Sequence, residues 1–164
     1  MEILSALLSG FSIALQPVNL AYCFVGVLAG TLIGVLPGIG PVAGVAMLIP
    51  FSFGMNATTA MIMMAGIYYG AMYGGSTTSI LVNIPGEAAS VVTCIDGHEM
   101  AKQGRAGPAL GMAAVGSFIA GTVSIVLMML VAPSLAKVAV AFGPPEYFSL
   151  MVLGLTVLAF MTQG

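Results

Sequence analysis

Charged side chains are almost absent from this sequence. Asp, Glu, Lys and Arg make up 5% of its 164 residues, whereas soluble globular proteins carry roughly 25%. Between Glu2 and Glu87 the chain has no charged residue. A water-soluble surface cannot be built from such a stretch, so we expect lipid to surround it. With a mean hydropathy of +1.15, the composition predicts a membrane protein with several spans.

Cations, cysteines and histidines are also scarce. Three Lys and Arg residues cannot make the basic face that nucleic-acid binding requires. Cys23 and Cys94 are too few for a disulfide framework or a metal site. The only histidine, His98, lies in a polar stretch, so we expect no buried Ser–His nucleophile. The sequence therefore predicts no enzyme, no catalytic residue and no metal site.

The apolar runs predict an all-α, polytopic membrane helix bundle with residues 1–164 as a single transmembrane domain. The predicted spans are 18–36, 57–73, 107–132 and 147–162. Two further apolar segments, 42–53 and 77–84, are shorter than the roughly 20 residues that a span needs. We expect them to be half-helices or re-entrant segments. Residues 3–15 are too few to span the bilayer and predict a segment that lies in the membrane interface or packs as a short helix, ended by Pro17.

Glycine recurs at four-residue intervals in three of the predicted helices. The rows are Gly26, Gly30 and Gly34; Gly66, Gly70 and Gly74; and Gly107 with Gly111. Such rows remove side chains from one helix face and let two backbones approach closely. They predict tight helix packing, or alternatively smooth faces along which one element moves against another.

The polar residues cluster in one stretch, at about 86–106. It contains Glu87, Asp96, His98, Glu99, Lys102 and Arg105. We expect an aqueous loop here. Because Lys102 and Arg105 are two of only three cations, the positive-inside rule places this loop in the cytoplasm.

The first interruption of the apolar run is Pro37-Gly38-Ile39-Gly40-Pro41. Pro37 cannot continue a helix, and glycine permits positive φ. Pro41 suits the first turn of a new helix. The N-terminus of that helix would carry roughly half a positive charge and bind an anion without any Lys or Arg. The alternative is a simple turn between two helices.

The second interruption is Gly74-Gly75-Ser76-Thr77-Thr78-Ser79. Ser and Thr are preferred helix N-caps, so we expect another helix N-terminus at Ser76. The alternative is that these hydroxyls bond back to carbonyls of their own helix. Carbonyls near Asn83 and Pro85 are candidate Na⁺ ligands. Glu87 is either a proton or cation site or an interfacial carboxylate.

Three motifs resemble the large membrane subunit of tripartite tricarboxylate transporters. They are Gly34-Val35-Leu36-Pro37-Gly38-Ile39-Gly40-Pro41, the run from Tyr69 to Glu87, and Asp96-Gly97-His98. The resemblance covers about 20–158. It implies cation-coupled secondary uptake (symport) of citrate-like carboxylates across a bacterial inner membrane. It also implies a small membrane subunit and a periplasmic solute-binding protein as partners, and Na⁺ or H⁺ as the coupling ion with no other cofactor.

Members of that family are considerably longer, with a second half that echoes the first. We therefore expect this chain to correspond to the N-terminal half of an internal-repeat transporter. Our hypothesis places two helix N-termini, at Pro41 and Ser76, opposite each other near the bilayer midplane. The predicted substrate ligands are Gly38, Gly40, Pro41, Ser76, Thr77, Thr78 and Ser79. The predicted cation ligands are Gly38, Gly40, Asn83 and Pro85.

Two other functions fit the same sequence. A channel or pore subunit would use the broken helices as a filter. A structural membrane subunit would use the glycine rows only for packing against its partners.

Overall fold

The computed structural model describes residues 2–161, which form seven α-helices and two short 3-10 helices and contain no β-strand. The prediction of an all-α membrane helix bundle is confirmed. The α-helices are α1 Glu2–Ala14, α2 Pro17–Gly34, α3 Gly40–Leu48, α4 Ala57–Val82, α5 Val91–Lys102, α6 Ala106–Ala141 and α7 Pro144–Met161. The 3-10 helices are Ile49–Ser52 and Ala88–Ser90. The chain divides into two compact units, 1–117 and 118–164.

Local sequence signals explain where several helices begin and end. Pro17 opens α2, because a proline in the first turn loses no helical hydrogen bond. Asn56 caps α4 by accepting a hydrogen bond from the Thr58 N–H at 3.0 Å. At its other end α4 stops at Asn83, which adopts a left-handed conformation with φ 58°. The short helix predicted at 3–15 is confirmed as α1.

The core of the first unit is the packing of α2 against α4. Any Cβ added to Gly30 would collide with the backbone of Ile67, and any Cβ added to Gly70 would collide with the backbone of Val27. Each helix thus presents a side-chain-free face to the other. Gly26, Gly30 and Gly34 meet positions 63, 67 and 71 in that order, so the two helices run parallel.

Two hydrogen bonds join α2 and α4 at opposite ends of the pair. The Thr59 hydroxyl donates to Asn19 Oδ1 at 2.7 Å near the start of both helices. The Thr78 hydroxyl donates to the carbonyl oxygen of Val35 at 3.1 Å, just beyond the end of α2. The two helices therefore stay together over the full length of α2.

The segment between α2 and α4 must bring the chain back to where α2 began. The 18 residues of α2 correspond to about 27 Å of helix. The return is made by α3 and the 3-10 helix Ile49–Ser52. Gly44 lies against Ile33 of α2 and Ile67 of α4. A Cβ added to Gly44 would lie 3.2 Å from Ile33 Cγ2 and 3.9 Å from Ile67 Cγ2. The short helix predicted at 42–53 is confirmed.

The predicted interruption at Gly74 to Ser79 is wrong. The helix α4 runs unbroken from Ala57 to Val82, so no helix begins at Ser76 and 77–84 is not a separate half-helix. The four hydroxyls donate instead to carbonyl oxygens one turn earlier, those of Met72, Tyr73, Gly74 and Gly75. These bonds keep the hydroxyls satisfied inside an apolar helix. Opposing helix N-termini at Pro41 and Ser76 are therefore also ruled out.

The polar stretch at 86–106, predicted as an aqueous loop, contains helical structure. The 3-10 helix Ala88–Ser90 leads directly into α5. His98 Nδ1 lies 3.0 Å from the carbonyl oxygen of Ile80, in the last turn of α4, where such a carbonyl lacks a helical partner. Gly97 allows this approach, because an added Cβ would lie 2.8 Å from Ile80 Cγ1. The Asp96-Gly97-His98 motif thus attaches α5 to α4.

Among the described residues, two helical stretches are long and apolar enough to cross a membrane. They are Pro17–Gly34 and Ala106–Ala132, with mean hydropathies of 1.6 and 2.2. In the second unit, Ser134–Ala141 and Pro144–Phe160 meet at 95° and would together provide a third span. The helix predicted at 57–73 exists within α4 but is not among these stretches. Thr162, the end of the predicted span 147–162, lies outside the described residues.

Candidate functional site

Three glycines meet where α2 ends. After Asn83 the chain turns back, so that Gly86 contacts Gly75 of α4. A Cβ added to Gly86 would also lie 2.9 Å from the carbonyl oxygen of Gly34. The first two family-like motifs, which are separated in sequence, therefore meet at one point of the structure. We call the contact of Gly34, Gly75 and Gly86 the glycine junction.

The Glu87 carboxylate lies directly against Gly75. A Cβ on Gly75 would overlap the Oε2 atom of Glu87, so the missing side chain provides the space that this oxygen fills. Glu87 and Ser90 form a reciprocal capping box around the 3-10 helix Ala88–Ser90. That same oxygen, Oε2, is buried and has no hydrogen-bond partner among the described residues.

A cleft of about 230 Å³ opens beside this carboxylate. Its lining residues are Tyr68, Tyr69, Met72, Tyr73, Ser76, Glu87, Ala89, Ser90 and Ser117. Glu87 is the only charged residue in that lining. Burial raises the pKa of the Glu87 carboxyl, and the hydrogen bond with Ser90 acts in the opposite direction with a smaller effect.

The Pro37–Pro41 segment has the backbone geometry that the sequence predicted. Gly38 and Gly40 have φ values of 85° and 67°, which other residues adopt only with strain. Pro41 occupies the first turn of α3, and no side chain caps this N-terminus. The predicted helix N-terminus at Pro41 is therefore confirmed, with its first N–H groups free of side-chain caps.

The predicted ligands occupy different environments. Ser76 lines the cleft, whereas Ser79 is completely buried and bonds to Gly75 O at 2.8 Å. Thr78 joins α4 to Val35, and Thr77 bonds to Tyr73 O. Gly38, Gly40, Asn83 and Pro85 are not among the lining residues of the cleft.

Most of the residues that line the cleft were not predicted from the sequence as site residues. Tyr69, Tyr73 and Ser76 follow one another at spacings of four and three residues, which places them on one face of α4. That spacing was a usable signal. Ser90 and Ser117 carried none, because only the folded chain brings them to α4.

Comparison with known proteins gives a consistent result. The model of the family described as "Tripartite tricarboxylate transporter TctA family" matches residues 20–164. A protein of Agrobacterium vitis, described as an uncharacterized 52.8 kDa protein in the TAR-I ttuC' 3' region, is 58% identical over 164 residues. The alignment covers all of this chain but 33% of that relative, so the chain spans about a third of its length. No solved structure matches. The chain belongs to the tripartite tricarboxylate transporter TctA family.

Proposed function

We propose that this chain is part of the membrane subunit of a cation-coupled secondary transporter for tricarboxylates and related carboxylates such as citrate. Family membership supports a transporter subunit. The observation that carries the proposal is the interrupted return between two parallel helices. Transporters use such interruptions to bind their substrates and coupling ions.

The parallel helix pair supports the proposed multi-pass topology. Since α2 is apolar and long enough to cross the bilayer, and α4 follows it from Asn19 to Val35, α4 crosses in the same direction. Residues 35–56 then cross back. The lower hydropathy of α4 agrees with its position, because α2, α3 and α5 shield its small and hydroxyl-bearing faces from lipid.

The N-terminus of α3 supplies the substrate site in this proposal. The positive end of the helix dipole attracts carboxylates, and the backbone N–H groups after Pro41 donate hydrogen bonds to them. Gly38 and Gly40 let the backbone approach the substrate without a side chain between them. Ser76 lines the cleft beside Glu87, whose lining does not include Gly38, Gly40 or Pro41, so the substrate site proposed here does not depend on it.

The proposed setting is a bacterial inner membrane, with a small membrane subunit and a periplasmic solute-binding protein as partners. The segment that contains α5 faces the cytoplasm, because it carries Lys102 and Arg105. The coupling ion is Na⁺ or H⁺, held near the same end of the α2–α4 pair as the substrate.

The test compares three alanine variants in the intact transporter. Gly38→Ala and Gly40→Ala strain the proposed substrate loop, and Gly54→Ala, at φ 87°, introduces the same strain between α3 and α4. Strain of about 1–2 kcal/mol should reduce the binding-competent population about tenfold. We expect the first two variants to raise the citrate concentration for half-maximal uptake by that factor. An equal effect of Gly54→Ala would contradict the assignment.

Counterflow distinguishes a carrier from a channel. Vesicles preloaded with unlabelled citrate should transiently accumulate labelled citrate if the protein is a carrier. Simple equilibration of the label would instead support a channel subunit.

A further inference from the structure

We propose that the cleft beside the glycine junction is a binding site for a monovalent metal cation, Na⁺, with Glu87 as its anionic ligand. This proposal rests on the proposed function, because it identifies where the coupling ion binds. It replaces the backbone carbonyls near Asn83 and Pro85 as the principal ligands. It also gives the buried carboxylate a role that the fold alone does not require.

One carboxylate oxygen of Glu87 lacks a hydrogen-bond partner in the described part of the chain. Buried polar atoms in native proteins nearly always have a partner, and a buried charged atom without one is strongly destabilising. Glu87 Oε2 has no partner among the described residues, and no Lys, Arg or His lines the cleft. The site therefore lacks a counter-charge, which a bound cation supplies.

Residues with neutral hydroxyl groups line the same cleft as the Glu87 carboxylate. Ser76 uses its hydrogen to bond to the carbonyl oxygen of Met72 at 3.2 Å, so the lone pairs on its oxygen are available to a cation. Ser117 and Tyr73, two more residues with hydroxyl groups, also line the cleft. A proton needs a single base, whereas a hard metal ion needs several oxygen ligands.

The charge of the ion is limited by the number of acidic groups. No group of three or more His, Cys, Asp or Glu residues is found in the described part of the chain. One carboxylate with several neutral oxygens balances a single positive charge. A divalent ion would leave an uncompensated charge in a largely apolar cleft. The charge balance thus favours Na⁺ over Mg²⁺ or Ca²⁺.

The glycine at position 75 completes the site. Since a Cβ there would overlap Oε2 of Glu87, only glycine lets Oε2 lie against α4 while Glu87 lines the cleft. The contact of Gly86 with Gly75 fixes the backbone that carries Glu87. The carboxylate is thereby held in place before any ion binds.

The experiment measures Na⁺ binding without relying on transport. The intact transporter, purified in detergent, is heated in NaCl or in choline chloride at equal ionic strength. A ligand that binds the folded state raises the melting temperature, so we expect NaCl to stabilise the wild type. Glu87→Gln should abolish this difference. The control Glu99→Gln removes an exposed carboxylate that pairs with Lys102 and should retain it.

Uptake measurements provide a second test of the Na⁺ site. Glu87→Gln and Ser76→Ala should raise the Na⁺ concentration for half-maximal citrate uptake by about tenfold or more, since an interaction with a charged group contributes about that factor. If Glu87→Gln changes neither the stabilisation by NaCl nor the Na⁺ dependence of citrate uptake, the site is overturned while the transport function stands. Stabilisation by Na⁺ that depends on Glu87, in a protein that takes up no carboxylate, would support the site and reject the proposed function.

Discussion

The Thr59 hydroxyl donates a hydrogen bond to the buried amide oxygen of Asn19 at 2.7 Å. The Asn19 amide nitrogen in turn donates to the carbonyl oxygen of Ile13 at 2.7 Å, near the end of α1. One asparagine therefore links α1, α2 and α4. Because this link lies at the start of both α2 and α4, it sets the register in which their glycine faces meet.

Removing this hydroxyl should weaken the first unit. Thr59→Val leaves the Asn19 oxygen without its donor, and an unsatisfied buried polar atom costs about 1–3 kcal/mol. We expect a loss of that size in the free energy of unfolding, measured by denaturant titration in mixed micelles. Thr122→Val is the matched control, since Thr122 is exposed and bonds only within α6. Equal effects of the two variants would show that the interhelical bond contributes nothing.

The glycine rows give a second stability prediction. Gly30→Ala places a methyl group against the backbone of Ile67, and overpacking of this kind costs about 1–3 kcal/mol. Gly116→Ala adds the same methyl group to α6, where nothing lies within 4 Å. We expect the melting temperature to fall for Gly30→Ala only. A fall for Gly116→Ala alone would contradict the packing of α2 on α4.

Gly75→Ala tests whether the position of the Glu87 carboxylate depends on its contact with α4. The three atoms nearest to the new methyl group all belong to the Glu87 side chain, which can rotate away, so the fold should persist with little loss of stability. The stabilisation by Na⁺ should weaken, because the carboxylate leaves its position. In a Glu87→Ala background, Gly75→Ala should have no further effect on the Na⁺ response. Additive effects would mean that the two residues act independently.

The raised pKa of Glu87 predicts a pH dependence of stability. Below the ordinary carboxyl pKa of 4.5 the group is protonated in both the folded and unfolded states. As the pH rises through the higher folded-state pKa, the folded protein loses stability, because the unfolded chain ionises more readily. We expect the melting temperature in choline chloride to decrease over this range, and Glu87→Gln to remove that component. A Glu87-dependent increase with pH would contradict the burial of the carboxyl.

The sequence predicted the parts of this fold that depend on local chemistry. Glycines at four-residue spacing predicted the faces of α2 and α4. The Pro37–Pro41 segment predicted a helix start with two glycines at positive φ. These features depend on residues within a turn or two of one another, so the chain itself contains the necessary information.

Prediction from the sequence failed where the structure depends on contacts between residues that are distant in sequence. The Gly74–Ser79 stretch has the composition of a break, but Gly74 packs on Thr31 and Gly34, and Gly75 on Gly86 and Glu87. With those contacts made, the hydroxyls bond within α4 and the helix continues. The environment of Glu87 was equally inaccessible, since the cleft forms only when α4, the 3-10 helix at 88–90 and Ser117 come together.

The most direct test of the transport proposal is citrate accumulation in proteoliposomes that contain the intact transporter and the proposed solute-binding protein. Labelled citrate is added outside, with an inward gradient of Na⁺ or, separately, of protons. We expect one of these gradients to drive citrate above its external concentration, and dissipating the gradient to release it. Citrate that only equilibrates, or no uptake under either gradient by correctly inserted protein, would contradict cation-coupled transport.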